Sequence, residues 1–221
     1  MSTALCQLAQ DYLGIMPAGG MLGEVKINGW RCLYFRGIDG QPRLWSRNGI
    51  PLEGADHILH RLRLIEEAAG EPIMLDGEIQ VDGTLAATKA WFERGWKRGG
   101  EAGVLHLFDA MPLPAWRAGG WERPLLERKE WLRTIVGAVD EPWDWRPRSA
   151  GRDDPECVQV MTDTWIFDEA HAIQESYRVW AIGGEGIVLK DPASPYRRLR
   201  CSAWQKCKQE NMSKLVGCKA A

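Results

Sequence analysis

No stretch of the 221-residue sequence approaches the roughly 20 consecutive apolar residues that a membrane-spanning helix needs. The opening MSTALCQLAQDYLG has neither the basic start nor the small-residue cleavage site of a secretory signal, so a cytoplasmic protein is expected. Six cysteines (Cys6, Cys32, Cys157, Cys201, Cys207 and Cys218) form no C-x-x-C, and the Cys201/Cys207 pair has no histidine nearby. A structural zinc site is therefore not expected, and without export the thiols should stay reduced. Also missing are a G-x-x-x-x-G-K-[ST] or G-x-G-x-x-G phosphate cradle, a G-x-S-x-G elbow, an H-E-x-x-H helix and the kinase signatures. These absences exclude the commonest nucleotide-binding, hydrolase and metalloprotease plans.

What is present is a globular composition, 45% hydrophobic and 26% charged. A chain of this length buries about 70% of its unfolded surface and can hold one large core or two small ones. The net charge of −2 hides an asymmetry: from Lys190 onward eight basic residues face two acidic ones. Such a block is ordinarily a solvated face, but it also suits phosphate groups. Twelve tryptophans are far above the usual share, and most are expected in the core because one indole buries a large area.

Pattern and punctuation predict mixed structure without repeats. Strands are expected at 21–36 (broken at Asn28-Gly29), 42–46, 73–81, 103–109, 185–190 and 203–209. Helices are expected at 55–69, with Gly70 as the stop, and at 84–96 and 122–136. A helix is also expected at 165–180, with Ile166, Ile173, Tyr177 and Trp180 on one face behind Asp163 or Thr164 as cap. Residues 138–157, rich in Pro, Asp, Arg and Trp, read as a surface excursion.

The residues suited to chemistry sit at strand ends. Lys26 closes a strand, on the same side as Glu24, and the following Asn-Gly turn leaves it at the tip. It is either an ordinary surface lysine or, with neighbouring cations or desolvation, a nucleophile. Lys206 and Lys208 alternate onto one face, where two ammonium groups need either solvent or an anion between them. Asp76 and Glu78 share a face, and Glu185 opens an apolar strand; such carboxylates are solvated ends or ligands of Mg²⁺ or a ribose hydroxyl. Val104, His106 and Phe108 form a stripe that is equally readable as core or as a base-stacking surface.

Taken in order, Lys-x-Asn-Gly-x-Arg at 26–31, Ser-Arg-Asn-Gly at 46–49, Asp-Gly-Glu at 76–78 and Phe-Asp at 108–109 precede Glu-Gly-Ile-Val-Leu-Lys at 185–190 and Trp-x-Lys-x-Lys at 204–208. This series resembles the motifs of the covalent nucleotidyltransferases, the superfamily of ATP-dependent DNA ligases, RNA ligases and mRNA capping enzymes. Each motif is weak alone; six in the family's order are strong. The likeness is greatest to small ATP-dependent DNA ligases of phage and bacterial type. Glu185 stands where NAD-dependent ligases and capping enzymes usually carry Asp, and the short N-terminal segment leaves no room for a nicotinamide-binding domain.

The resemblance implies an α+β fold of two twisted, mainly antiparallel sheets flanked by helices, with the nucleotide in the cleft between them. It implies that Lys26 attacks the α-phosphorus of ATP and becomes lysyl-AMP. Glu24 would lie by the adenine and Phe108 would stack on it. Glu78 and Arg31 would hold the ribose region, and Arg47 would lie near the nucleotide sugar and the DNA phosphate. Glu185 and Glu78 would bind Mg²⁺, and Lys190, Lys206 and Lys208 would contact phosphate, the last two also lowering the pKa of Lys26. AMP would pass to the 5′-phosphate of a nick in double-stranded DNA, in repair, replication or recombination, with the protein acting as a monomer away from membranes.

Two features depart from the family's pattern. Asn28 replaces the usual Asp, keeping the shape but losing the charge. The family's domain of residues 1–209 is usually followed by an OB-fold, whereas here a tail of residues 210–221 remains, with Leu215-Val216-Gly217 resembling the start of its first strand. An RNA ligase with the same lysyl-AMP chemistry, or a non-catalytic nucleotide- or DNA-binding relic, are the competing readings.

Overall fold

Alternating apolar residues between turn signals build the strands, and their pairing divides them into two layers. The computed structural model describes residues 4–93, 102–140 and 157–211. Strands β1 (Leu8–Asp11), β2 (Met21–Val25), β10 (Thr164–Ile166), β11 (Gly186–Lys190) and β13 (Arg200–Lys208) form a five-stranded sheet in the order β1-β13-β11-β2-β10. Strands β3 (Trp30–Arg36), β4 (Pro42–Ser46), β5 (Pro51–Leu52), β6 (Ile73–Gln80), β7 (Val104–Pro112) and β9 (Val158–Val160) form a six-stranded sheet in the order β5-β4-β3-β6-β7-β9. A short antiparallel pair, β8 (Gly120–Trp121) with β12 (Tyr196–Arg197), forms a separate two-stranded sheet. Only the β1–β13 and β7–β9 pairings are parallel among the described strands.

Three cores follow from this layering. On the outer face of the six-stranded sheet, Ile58, Leu62 and Ile65 of α1 (Asp56–Ala69) and Leu132, Ile135 and Val136 of α4 (Leu125–Asp140) pack on Leu75, Ile79, Leu105 and Leu107. Behind the five-stranded sheet, Ala172 and Val179 of α5 (Glu169–Ala181) cover Met21, Ile187 and Leu189. Between the sheets lie Leu33, Met74, Phe108, Met111, Tyr196 and Trp204. Helices α2 (Leu85–Glu93) and α3 (Leu113–Arg117) complete the set. The α+β arrangement of two mainly antiparallel sheets flanked by helices is thus the one adopted.

Most expected elements form within a few residues of their boundaries, and α1 stops at Gly70, whose φ of 72° gives the left-handed cap. Some expectations need correction. Residues 164–166 are not the start of a helix: Thr164, Trp165 and Ile166 pair with Gly23, Leu22 and Met21. The helix begins only after Asp168, whose side chain accepts from the His171 N–H at 2.8 Å, so the cap is neither Asp163 nor Thr164. A β-branched and aromatic triplet beside an unpaired strand edge satisfies its backbone better in the sheet. Asn28-Gly29 is not a hairpin turn, because β2 and β3 belong to different sheets. Of the nine described tryptophans, Trp91, Trp116 and Trp204 are buried and Trp45, Trp121, Trp131 and Trp180 pack half-buried against a core, so most serve the core as expected, while Trp30 is half-buried and Trp165 exposed. Residues 94–96 of the expected second helix, 141–156 of the excursion, and the tail from residue 212 with Leu215-Val216-Gly217 lie outside the described residues.

Candidate active site

The segment Lys26 to Gly29 carries the chain from one sheet to the other, so it lies at the floor of the cleft. The Lys26 N–H donates to the Gly186 carbonyl at 2.8 Å, which extends the pairing with β11 one residue past the end of β2 at Val25. Gly29 passes so close to β6 that a Cβ there would lie 2.2 Å from the Ile79 carbonyl oxygen, which is why glycine is needed. Gly186 likewise has a φ of +136°, and a Cβ would lie 2.0 Å from the Cys207 carbonyl oxygen. Two motif glycines are thereby explained by close backbone approach.

Nine of the ten residues singled out from the sequence line one cavity of about 560 Å³ between the sheets. The tenth, Glu185, bonds to two of them. Lys26 Nζ donates to Glu185 Oε2 at 2.6 Å, and Lys208 Nζ pairs with Oε1 of the same carboxylate. Burial would raise the pKa of Glu185, but Lys208 and Lys26 outweigh it and hold the group below the usual carboxylate range. The anion required between closely spaced lysines is therefore supplied by the protein. Lys206, on the same face of β13, turns instead to Asp11 of β1, 3.0 Å from Oδ1.

Arg31 lies at the cavity wall on β3. Its Nε and Nη2 donate to the two oxygens of Asp76 at 2.6 Å each, and Nη2 also donates to the Gln7 carbonyl at 3.1 Å. Asp76 is completely buried and accepts a third bond from the Tyr196 hydroxyl at 2.6 Å, while that hydroxyl accepts from the Gln7 N–H at 3.0 Å. The guanidinium is thus fixed from behind and stacks 4.6 Å from the centre of the Phe108 ring.

A β-bulge aims Phe108 into the cavity. Asp76 opposes Asp109 and Gly77 opposes Leu107, so Phe108 is the extra residue and lies on the same side as Asp109. Asp109 is tied down by a bidentate bond from buried Arg128, at 2.8 Å to each oxygen. Phe108 meets Trp204 edge-on at 5.8 Å between centroids. The ammonium of Lys190 sits 4.3 Å from one ring and 4.2 Å from the other. Of the Val104–His106–Phe108 stripe, only Phe108 reaches the cavity lining.

Lys190 is buried, and its Nζ donates to Glu24 Oε2 at 2.7 Å. Burial pushes its pKa down to about 8, an effect only partly offset by Glu24. Glu78, beside Asp76 on β6, has its carboxyl pushed up to about 7 by burial, against the attraction of Arg31 and Lys26. Arg47 and Asn48 lie exposed at the mouth. Asn28 is not among the lining residues; its carbonyl accepts a long 3.5 Å bond from Gln80 Nε2.

Sequence reasoning missed Asp11, Gln7, Tyr196 and Lys129 as site-supporting residues. Lys129 of α4 is completely buried, 2.6 Å from Glu24 Oε1 and 3.1 Å from Asp163 Oδ2. A readable signal existed: Arg128 and Lys129 fall on the helix stripe of Leu125, Leu132, Ile135 and Val136, where an isolated surface charge does not belong.

Among the described residues, no group of three or more His, Cys, Asp or Glu could hold a metal by itself, and no helix is long and apolar enough to cross a membrane. The described cysteines are all free.

A family model for the ATP dependent DNA ligase domain matches residues 3–208. No curated protein matches the sequence. Solved structures share the fold. Pmar-Lig_PreS3 superposes with a TM-score of 0.76 at 21% identity, covering 92% of this chain and 46% of that one. The ATP-dependent DNA ligase of bacteriophage T7 in complex with ATP gives 0.73 at 19% identity, covering 93% and 68%. A Naegleria gruberi RNA ligase mutant with AMP and Mn gives 0.54 at 12% identity, covering 90% and 52%. The chain thus spans about half the length of Pmar-Lig_PreS3.

Proposed function

The chain belongs to the ATP-dependent DNA ligase domain family, and from that premise we propose that it transfers AMP from ATP to Lys26 and then to the 5′-phosphate of a nick in duplex DNA. The observation that carries this reading is that Lys26 lines one cavity together with the buried rings of Phe108 and Trp204 and the partly exposed cations Lys206 and Lys208. Phe108 and Trp204 provide a surface for a base, with Glu24 beside it. Arg31, fixed by Asp76, and Glu78 lie where a ribose would follow. Lys206 and Lys208 provide charge for the phosphates.

In the first step the neutral Lys26 amine attacks the α-phosphorus, the N–P bond forms, the bond to pyrophosphate breaks so that pyrophosphate leaves, and the amine gives up a proton to water. Such an in-line displacement depends on alignment and charge neutralisation more than on covalent help. The Glu185 bridge aligns Lys26 with Lys208 before the nucleotide arrives. The donor set suits Mg²⁺, which is usually held by one or two carboxylates together with substrate phosphates. Glu185 and Glu78 would hold it, and it would neutralise phosphate oxygens. The 5′-phosphate of the nick then attacks the adenylate, breaking the N–P bond and releasing the Lys26 amine, which takes up a proton; the 3′-hydroxyl, losing its proton to water, finally displaces AMP from the activated 5′-phosphate.

The test is intact mass and label retention after incubation with α-labelled ATP and Mg²⁺. One AMP per chain is expected, lost in Lys26→Ala. Lys26→Arg should fail as well, because a guanidinium does not deprotonate in a protein. Label that persists in both variants refutes the assignment. Adenylated protein offered nicked DNA and nicked RNA separates a DNA ligase from an RNA ligase.

A further inference from the structure

Glu24 presents its two carboxylate oxygens to lysines arriving from opposite sides. Lys190 of β11 holds Oε2 at 2.7 Å, and Lys129 of α4 lies 2.6 Å from Oε1. Glu24 and Lys190 line the cavity, whereas Lys129 stands behind it. Asp163 closes the far side of Lys129 at 3.1 Å and is itself held by Arg133 at 2.6 Å. A relay of alternating charge therefore runs from the buried end of the cavity to the surface.

A fully buried lysine is rare and costly to desolvate, and an apolar residue on the α4 stripe would pack as well. Core stability alone does not explain it. Its distinct effect is on geometry. The terminal torsion of a glutamate is broad, so a carboxylate held by one oxygen swings. Held at Oε2 by the Lys190 hydrogen bond and at Oε1 by the Lys129 ion pair, it is confined to one orientation in the cavity wall.

We propose that Lys129 is a positioning residue for base selectivity: it pins Glu24 so that the carboxylate accepts an exocyclic amino group, as on adenine, and repels a carbonyl in the same place, as on hypoxanthine or guanine. This inference rests on the reading above, in which a nucleotide base occupies the buried end of the cavity.

The test compares ATP with inosine triphosphate, which differs only at that edge of the base, in the wild type and in Lys129→Met. The wild type should prefer ATP by about a hundredfold in kcat/KM. In Lys129→Met the KM for ATP should rise about tenfold, kcat should stay within about threefold, and the preference should fall about tenfold. Unchanged KM and preference in folded Lys129→Met would show that the lysine only packs, and would overturn the proposal. Should that variant not fold, Asp163→Asn loosens Lys129 from the solvent side without emptying the core. A rise in KM of about threefold with a weakened preference then supports the proposal, and unchanged values overturn it. Equilibrium binding of AMP and IMP, followed by tryptophan fluorescence, reads the same ratios without turnover. A wild type that discriminates AMP from IMP but never gains mass at Lys26 would refute the adenylation reading and leave this inference standing.

Discussion

Replacing Glu78 by Gln should change the stability of the protein in a pH-dependent way. Burial lifts the Glu78 carboxyl from 4.5 to about 7, although Arg31 and Lys26 pull the other way. The native state therefore holds this proton more tightly than the unfolded chain. Stability associated with it is fully present below pH 4.5 and is lost as pH rises through about 7. A tenfold change in proton affinity is worth about 1.4 kcal/mol, so the ionised carboxylate costs about 3 kcal/mol above neutrality. Glutamine keeps the shape and cannot ionise. Relative to wild type, Glu78→Gln should be close to neutral at pH 4.5 and more stable by about 3 kcal/mol at pH 7.5.

Urea titrations of both proteins at half-unit pH intervals measure this difference directly, since a change in midpoint at constant slope reports stability. A difference that does not vary between pH 4.5 and 7.5 refutes the reasoning. The same carboxylate gives a functional corollary. Binding of Mg²⁺ with ATP at neutral pH should release a proton from Glu78, and calorimetry in buffers of different ionisation enthalpy should detect its loss in Glu78→Gln. The sign follows because a cation favours the charged form that burial disfavours.

Two further outcomes are expected. Asp76→Asn should lower adenylation of Lys26 by about a hundredfold by freeing the Arg31 guanidinium, whereas Tyr196→Phe should cost about 2 kcal/mol of stability and less than about threefold in rate, because the bidentate Asp76 bond survives; single-turnover labelling and thermal melts separate the two. Gly186→Ala should destabilise the fold by roughly 3 kcal/mol or more, since its φ of +136° is strained for any side chain and the new Cβ would strike the Cys207 carbonyl; an unchanged melting temperature would contradict this account of the motif glycine.

The motif residues were legible because their types and spacing encode local geometry. Lys26 and Arg31 flank a crossing between sheets, Lys206 and Lys208 share a strand face, and Phe108 precedes an aspartate. Their gathering around one cavity then follows from the pairing of β11 with β2 and β13. What was not legible arises between segments with no common pattern. β1 is four residues long, and its parallel register on β13 is broken between Ala9 and Gln10, so nothing in its sequence announces that Asp11 will meet Lys206. The Tyr196 hydroxyl reaches Asp76 across 120 positions of chain. The bulge at Phe108 was invisible for a related reason: alternation predicts Phe108 and Asp109 on opposite faces, and only Arg128 with Asp76 makes the shared face favourable. Ile166 misled because an apolar residue at helical spacing fits a strand edge equally well.

The ion pairs of the site fall into two kinds, and the division suggests which ones a nucleotide can exchange. Asp76 with Arg31, and Glu24 with Lys129 and Lys190, use carboxylates that are at most 3% exposed, and their loss would leave a buried charge uncompensated. These are fixtures that a ligand must fit. Asp11 and Glu185 are 56% and 22% exposed, so water can solvate either carboxylate once its lysine departs. The exposed Asp11 pair contributes about 0–1 kcal/mol, a small barrier against a polyphosphate carrying several charges, and the partly exposed Glu185 pairs are the next to yield. Exchange should therefore begin at the open end, where phosphate takes Lys206 from Asp11 and competes with Glu185 for Lys208. On the proposed reading, Glu185, freed from one lysine, would then be available to a divalent cation as the phosphates arrive. The base end needs no such rearrangement, so recognition there can precede the chemistry at Lys26.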